Sequence, residues 1–221
     1  MGTEQEKNNE VPIMRSQSRN YGKIVSLLLS LWFIAVLAAS QLLLFKDGRV
    51  PAGLTALLAI IVFVIWSAVS PGFRRFILSV DARTLTFLQA WRVAGFVWIV
   101  SAAYGILPAD FALPAGWGDL AVGLTAPLAA TYLVQHERRW GFIAWHMFGI
   151  LDLTMAVTLA VLASPRLHLI GNGLTTTQLT VLPLSVIPTF AVPLVIIFHI
   201  ICIAQWWQTS PARSPRTAFQ N

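Results

Sequence analysis

Apolar residues follow one another along this chain in long, nearly continuous runs. Six such runs are separated by shorter polar segments. They cover residues 24–45, 50–70, 85–107, 117–134, 140–163 and 184–205. About 20 residues of helix cross the hydrocarbon core of a bilayer, whereas the strands of a membrane barrel alternate between apolar and polar residues. The pattern therefore predicts an all-α polytopic membrane protein, a bundle of six transmembrane helices.

The composition agrees with this class and distinguishes the two ends of the chain. Hydrophobic residues make up 57% of the 221 residues and charged residues only 11%, which is more apolar than a soluble domain. We expect a transmembrane domain over residues 24–207. Both ends are poor in apolar residues, so we expect a disordered cytoplasmic N-terminus over 1–23 and a disordered cytoplasmic tail over 208–221. The first apolar run is longer than that of a signal peptide and predicts an uncleaved anchor helix.

The positive charges follow the predicted membrane topology. Of the 15 Lys and Arg residues, eleven fall on one predicted side and three on the other. The eleven are Lys7, Arg15, Arg19, Lys23, Arg74, Arg75, Arg83, Arg138, Arg139, Arg213 and Arg216, and the three are Lys46, Arg49 and Arg166. Basic residues collect on the cytoplasmic side, so we expect both termini in the cytoplasm and the protein in the plasma (inner) membrane. Topology thus accounts for the net charge without a nucleic-acid partner, and the expected partner is the lipid bilayer.

Two segments on the other side have an unusual composition. Residues 107–119 contain two prolines, two glycines and two aromatic residues, which predicts a shaped, partly embedded turn. Residues 174–182 mix threonine, glutamine and leucine, which predicts a short helix or strand at the membrane interface. We interpret this second segment as a cap on the bundle. The alternative is a lid over a cavity that opens to this side.

Ionisable residues also lie inside the predicted spans: Arg92, Asp119, His146, Asp152 and His199. A charged side chain at the membrane centre costs about 2.5–3.5 kcal/mol on insertion scales and usually marks function. From the helix rise, Arg92, His146 and His199 lie about 9–10 Å from the cytoplasmic side. Asp152 lies about 18 Å deep and Asp119 close to the outer end. With Gln89, three residues before Arg92, these residues form a predicted site for ligand binding or relay.

Arg92 has two interpretations at this depth. Its long side chain can extend back to the cytoplasmic surface, or it can turn into the bundle and pair with an acidic residue. Asp152 is too short to reach water from mid-membrane, and side chains on both helices lean towards the cytoplasm. Gly95 and Gly149 lie nearby and permit close helix contact. We therefore predict that Arg92 faces the bundle and pairs with Asp152.

The two histidines at equal depth leave three interpretations open. They are axial ligands of a b-type haem, members of a proton or ion relay with Asp152, or structural residues. A haem needs its two ligand helices farther apart than the 8–10 Å, roughly, of packed neighbours. We therefore predict no cofactor, with haem b as the alternative. Cys202 is the single cysteine, so the sequence predicts no disulfide within the chain and no metal site.

The chain contains no Walker loop and no Gly-x-Gly-x-x-Gly, His-Glu-x-x-His or Gly-x-Ser-x-Gly motif. We predict no catalytic residue. This favours a protein that is not an enzyme but leaves the question of enzyme activity open. We interpret the chain as a small multi-pass inner-membrane protein whose polar intramembrane site binds or passes a small solute or ion, with transport as one use of that site. The alternatives are a haem-binding redox protein that uses His146 and His199, and a structural or assembly protein without a ligand.

Overall fold

The computed structural model describes residues 3–46, 49–134 and 136–208. In this part of the chain every regular element is helical, so the predicted all-α class is confirmed. The α-helices are α1 (Thr3–Gln41), α2 (Ala52–Val69), α3 (Pro71–Leu78), α4 (Ala82–Phe87), α5 (Phe96–Ala103), α6 (Ala109–Leu128), α7 (Arg139–Leu162) and α8 (Val192–Gln208). A 3-10 helix, Leu88–Gly95, joins α4 to α5. Two π-helical turns, Ala129–Leu133 and Ile187–Ala191, follow α6 and precede α8.

Five helical segments of the described residues are long and apolar enough to cross a membrane. They are Asn20–Gln41, Ala52–Val69, Ala82–Ala103, Arg139–Leu162 and Ile187–Trp207. The sixth predicted run, 117–134, falls in α6 and its π-helical turn, and α6 is not among these five. Its sequence contains two aspartates, two prolines and three glycines, which lower its mean hydropathy. By length and composition the described residues therefore contain five candidate spans rather than six.

The outside of the bundle is apolar, as expected of a protein surrounded by lipid. On α2 alone, six large apolar side chains are at least half exposed: Leu54, Leu57, Leu58, Val62, Ile65 and Val69. Soluble monomers rarely expose continuous apolar patches larger than a few hundred Å². The exposed side chains therefore agree with a membrane-embedded protein.

The bundle has two distinct ends. We name one the basic end, because it contains α3, the start of α4 and the start of α7, with Arg74, Arg75, Arg83, Arg138 and Arg139. The opposite end, formed by residues 104–108 and 163–186, is the loop end. At the basic end, the hydroxyl of Tyr21 in α1 lies 3.5 Å from that of Ser70. Gln205 of α8 donates there to the Val80 carbonyl at 2.7 Å.

Helix α6 runs through the bundle in the direction opposite to α4 and α5. Trp98 of α5 packs against Phe111 near the start of α6, with 5.9 Å between ring centroids, whereas the earlier residue Arg92 contacts the later residue Asp119. With its π-helical turn, α6 is about 37 Å long. It reaches from the loop end to the basic end.

The turn predicted over residues 107–119 is wrong. Helix α6 begins at Ala109, directly after Pro108, and continues through Pro114. Proline and glycine are typical of turns, but both are also frequent in transmembrane helices, where neighbouring helices and water satisfy the backbone groups that proline frees. Residues 174–182 contain the 3-10 turn Thr177–Thr180, so the short helical element expected there is present.

The two termini are described only in part. The backbone of α1 is helical from Thr3, and the side chains of residues 1–19 lie outside the described structure. Residues 209–221 also lie outside the described residues. The disorder predicted for 1–23 and 208–221 stays a prediction.

Asp81 caps the N-terminus of α4 at the basic end. Its carboxylate accepts hydrogen bonds from the backbone N–H groups of Arg83 at 3.2 Å and Thr84 at 3.0 Å. The Thr84 hydroxyl also donates to it at 2.6 Å. This hydroxyl bond, followed by the backbone bonds, lowers the pKa of Asp81 below its ordinary value. The cap fixes the point at which the third candidate span begins.

We predict that Asp81→Ala lowers the free energy of unfolding by about 1 kcal/mol at neutral pH, because two helix N–H groups lose their acceptor. The folded-state pKa is lowered, so this stabilisation is present above the unfolded-state pKa of about 3.9 and is lost as the pH falls through the folded-state pKa. Thermal unfolding in detergent as a function of pH measures both effects. A difference between wild type and variant that persists below that range would contradict the role of the carboxylate.

Candidate functional site

The six predicted site residues lie together in one polar layer across the bundle. Five of them are at most 5% exposed: Gln89, Arg92, His146, Asp152 and His199. The sixth, Asp119, has 19% of its side chain exposed. The structure thus brings together residues from the 3-10 helix, α6, α7 and α8.

Two apolar clusters enclose this polar layer. The cluster towards the basic end consists of Phe73, Ile77, Leu85, Phe142, Ile201 and Cys202. The cluster towards the loop end consists of Trp98, Leu107, Phe111, Ala112, Ala115 and Leu179. Coulomb interactions are stronger in such low-dielectric surroundings than in water, and a charge without a counter-charge is costly there. The contacts within the layer therefore determine whether its charges are tolerated.

Arg92 pairs with two carboxylates at the same time. Its Nε donates to Asp119 Oδ1 at 2.7 Å, and its Nη2 donates to Asp152 Oδ2. The predicted pairing of Arg92 with Asp152 is confirmed, and the side chain does not extend to the surface. Because the planar guanidinium presents several donors in a fixed geometry, one residue ties the segment between α4 and α5 to both α6 and α7.

The position expected for Asp119, close to the outer end of its helix, is wrong. Because α6 begins at Ala109, Asp119 lies ten residues into the helix, about 15 Å from its start. It reaches Arg92 there, and Trp98 Nε1 donates to its second oxygen at 3.2 Å. Both carboxylate oxygens of Asp119 are therefore held by hydrogen bonds.

Glycines provide the space for the two carboxylates. A Cβ atom added to Gly118 of α6 would collide with Asp152 Oδ1, and one added to Gly95 would collide with Asp119. Small residues let helix backbones approach closely in membranes. Here they let short aspartate side chains reach a guanidinium on another helix.

His146 and His199 form a hydrogen-bonded pair beside the charged cluster. Their Nδ1 atoms are 2.7 Å apart, and the rings meet edge to face, with centroids 4.9 Å apart. The Thr86 hydroxyl lies 3.2 Å from His146 Nε2. The His199 ring occupies the space beside Gly149, where a Cβ atom would collide with it. The two histidines predicted to lie at one depth are thus in direct contact.

This geometry does not fit a haem held between the two histidines. A metal–imidazole bond is about 2 Å long, so two axial nitrogens on one iron lie about 4 Å apart, with the porphyrin plane between them. The two Nδ1 atoms are instead 2.7 Å apart and hydrogen-bonded to each other. Within the described part of the chain, no three His, Cys, Asp or Glu side chains converge as metal ligands.

Several buried polar atoms of the layer have no hydrogen-bond partner among the described residues. They are Gln89 Nε2, Gln89 Oε1, Arg92 Nη1, Asp152 Oδ1 and His199 Nε2. Leaving a buried polar group unpaired costs about 1–3 kcal/mol, and native structures contain few such groups. Their concentration in one layer distinguishes it from ordinary helix packing.

A cavity of about 770 Å³ extends from the loop end to Asp119. Its inner walls are largely apolar and include Trp98, Phe111, Ala115, Leu153 and Ala156, and its outer part includes Thr176, Thr177 and Thr180. This volume lies within the range of small-molecule sites. Part of segment 174–182 lines the cavity, so both the cap and the lid interpretation of that segment stay open.

Two contacts of the site were not predicted: Thr86 with His146 and Trp98 with Asp119. A signal for both was present in the sequence. Gln89, Arg92 and Gly95 already step by three, and continuing that step in both directions gives Thr86 and Trp98, which are also buried. A period of three is that of a 3-10 helix, which is what the chain forms from Leu88 to Gly95, between the two added positions.

We predict that Arg92→Gln lowers the free energy of unfolding by about 3–5 kcal/mol, because it leaves two buried carboxylates without their cation. Asp152→Asn should lower it by less, because Asp119 still pairs with Arg92. The double variant should lose less than the sum, by about 0.5–3 kcal/mol. Unfolding in detergent measures the cycle. Arg74→Gln combined with Asp152→Asn is the control and should be additive; additivity of Arg92→Gln with Asp152→Asn as well would contradict the pairing.

A second prediction concerns the space beside Asp152. Gly118→Ala should lower thermal stability because its methyl group would occupy the position of the carboxylate. Gly53→Ala is the matched control within a span, since its Cβ would meet only Val161 Cγ2 at an ordinary 3.9 Å. Removing a helical glycine there should be neutral or stabilising. Equal effects of the two substitutions on thermal stability would contradict the position of the Asp152 carboxylate against Gly118.

Comparison with known proteins assigns the chain to a family. None of the curated proteins and none of the solved structures matches the chain. Residues 50–206 match the model of a family described as "Domain of unknown function (DUF8737)", and this range contains all six predicted site residues. The match covers well over half of the chain, which therefore belongs to the DUF8737 family.

Proposed function

We propose that this protein binds a small solute or ion in its cavity, with Asp119 as the polar contact at the inner end. One observation carries this proposal: Asp119 lines the cavity and is also paired with Arg92. A solute that enters from the loop end passes Arg166 and the threonines of the outer part, then apolar walls, and meets a carboxylate last. Apolar pockets with a few placed polar groups are the usual architecture of small-molecule sites.

The charge of the cluster favours a cationic solute. One guanidinium faces two carboxylates, which leaves one negative charge in excess when both are ionised. An uncompensated charge is costly in low-dielectric surroundings, so a bound positive group would stabilise the site. A small organic cation with an apolar body suits both the walls and the inner end of the cavity.

We also propose that the chain crosses an inner membrane six times, with both termini in the cytoplasm. Helix α6 is then a span in addition to the five apolar segments. Helix α6 extends from the loop end to the basic end, and Asp119 faces neighbouring helices rather than lipid. The excess of basic residues at the basic end supports a cytoplasmic location for that end. Six crossings keep the two termini on one side, whereas five would separate them.

A phosphatase fusion after residue 136, between α6 and α7, tests this topology most sharply. We predict that alkaline phosphatase is inactive there and after residue 207, because both positions lie at the basic end. Fusions after residues 48 and 168 should be active. Activity after residue 136 would show that α6 does not cross the membrane and would contradict the six-span topology.

The binding proposal predicts a charge-selective response to small amphiphiles. Hexylammonium, hexanol and hexanoate share one apolar body and differ in charge. Hexylammonium should raise the thermal stability of the purified protein, by about 2.7 kcal/mol at a hundred times its Kd. Hexanoate should not, because its carboxylate would meet Asp119. Thermal unfolding in detergent with each compound measures the difference.

The matched variants lie on the same helix. Asp119→Asn should abolish the preference for hexylammonium, whereas Asp110→Asn, which changes an exposed aspartate nine residues earlier, should retain it. Ala115→Phe would fill part of the cavity and should remove the stabilisation by hexylammonium. Stabilisation by hexanoate equal to that by hexylammonium would contradict the role of Asp119. The absence of any response would favour the structural or assembly alternative.

A further inference from the structure

A straight stripe of buried residues connects the charged cluster to the histidine pair. Every third residue from 86 to 98 is buried, which gives Thr86, Gln89, Arg92, Gly95 and Trp98. Within the 3-10 helix Leu88–Gly95, residues three apart lie directly above one another; Thr86 precedes this helix in α4 and Trp98 follows it in α5. Gln89 therefore lies between Arg92, which holds the carboxylates, and Thr86, which contacts His146.

The unpartnered atoms follow this stripe. Gln89 offers both a donor and an acceptor that have no partner among the described residues, and it is fully buried. On the facing helices, Asp152 Oδ1 and His199 Nε2 are also unpartnered within the described part of the chain. The His199 ring lies beside Gly149, which is one helical turn before Asp152. Donors and acceptors without a partner thus occur on the 3-10 helix, α7 and α8 within this polar layer.

The hydrogen bonds of the histidine pair indicate where its protons lie when both rings are neutral. The Thr86 hydroxyl donates to the Ala82 carbonyl at 2.7 Å, so its oxygen is left to accept from His146 Nε2. His146 Nδ1 then carries a lone pair and accepts from His199 Nδ1. His199 Nε2 is left with its own lone pair, because a neutral imidazole has one donor and one acceptor nitrogen. This nitrogen is a buried proton acceptor on the side of Gly149.

We propose that this polar layer holds one exchangeable proton, shared between the carboxylate pair and His199, and that a cation bound at Asp119 displaces it. The displacement step rests on the proposed function; the proton itself does not. One guanidinium and two carboxylates are neutral with one added proton or with one added monovalent cation, but not with both. When the cation binds, the proton leaves Asp152 Oδ1 for His199 Nε2 and passes from there to water, so only O–H and N–H bonds change.

The proton count follows from the groups that surround it. The titratable and charged groups of the layer and its edge are Arg92, Asp119, His146, Asp152, His199 and Cys202. With neutral histidines and a neutral thiol, the guanidinium is the single fixed cation of this set. Each carboxylate beyond the first therefore needs one proton, and removing either carboxylate removes that need.

Infrared spectroscopy of the purified full chain in lipid tests the proposal without any solute. We expect the wild-type protein at neutral pH to show the C=O stretching band of a protonated carboxyl group, shifted in D₂O. Both Asp119→Asn and Asp152→Asn should lose this band, because one carboxylate then balances Arg92. Arg92→Gln should give about twice the band area, because neither carboxylate then has a cation to balance it and a buried uncompensated charge is costly.

Two further variants distinguish this layer from ordinary packing. Asp110→Asn removes an exposed aspartate and should leave the band unchanged. His199→Gln keeps the charge balance and should retain the band, but its exchange with D₂O should be slower because the acceptor nitrogen is lost. The absence of the band in the wild type, or its survival in both aspartate variants, would overturn the shared proton. Unchanged exchange in His199→Gln would overturn the part assigned to the histidine.

The coupling step is measured with hexylammonium in a weakly buffered solution that contains a pH indicator. One proton should be released for each hexylammonium bound, and none in Asp152→Asn. Binding without proton release would overturn the displacement while leaving the proposed function intact. An infrared band as expected together with no binding of hexylammonium would overturn the proposed function, and with it the displacement, while leaving the shared proton intact.

Discussion

Arg92 holds two carboxylates inside the bundle, and the packing of the central helices depends on this contact. The arginine side chain is only 1% exposed, so its charge is compensated by neighbouring helices rather than by water. Helices α6 and α7 must therefore bring Asp119 and Asp152 to one guanidinium. Aspartate side chains are short, and the helix axes can approach closely enough only where the facing residue is small. Gly95 and Gly118 meet that requirement.

Helix α6 is the element whose composition this constraint explains best. Its polar and small residues reduce its hydropathy below that of the five apolar segments, yet most of them face other helices. The side chains on its outer face are large and apolar, namely Leu113, Trp117, Leu124 and Leu128. A charged residue is tolerated at such a depth when it faces the bundle interior and has a partner. The helix is thus suited to a position between the cavity and Arg92.

Depth and side-chain direction made part of the site predictable from the sequence. The depth of a residue follows from its distance along a helix, which gave the shared depth of His146 and His199. The lean of side chains towards the cytoplasm added the pairing of Arg92 with the deeper Asp152. The position of Asp119 was not, because it depends on where α6 begins, and proline and glycine are ambiguous between a turn and a membrane helix. The cavity could not be predicted either, since it depends on which helix faces stand apart after packing.

The pairing of Arg92 with both carboxylates in the membrane can be measured directly. Solid-state NMR of the protein in lipid bilayers, with ¹⁵N-labelled arginine and ¹³C-labelled aspartate carboxyl groups, detects this contact through nitrogen–carbon dipolar couplings. Two carboxyl signals should couple to guanidinium nitrogens. One should disappear in Asp119→Asn, the other in Asp152→Asn, and both couplings in Arg92→Gln. Carboxyl signals with no coupling that depends on Arg92 would show that the arginine extends to the membrane surface and would contradict the pairing.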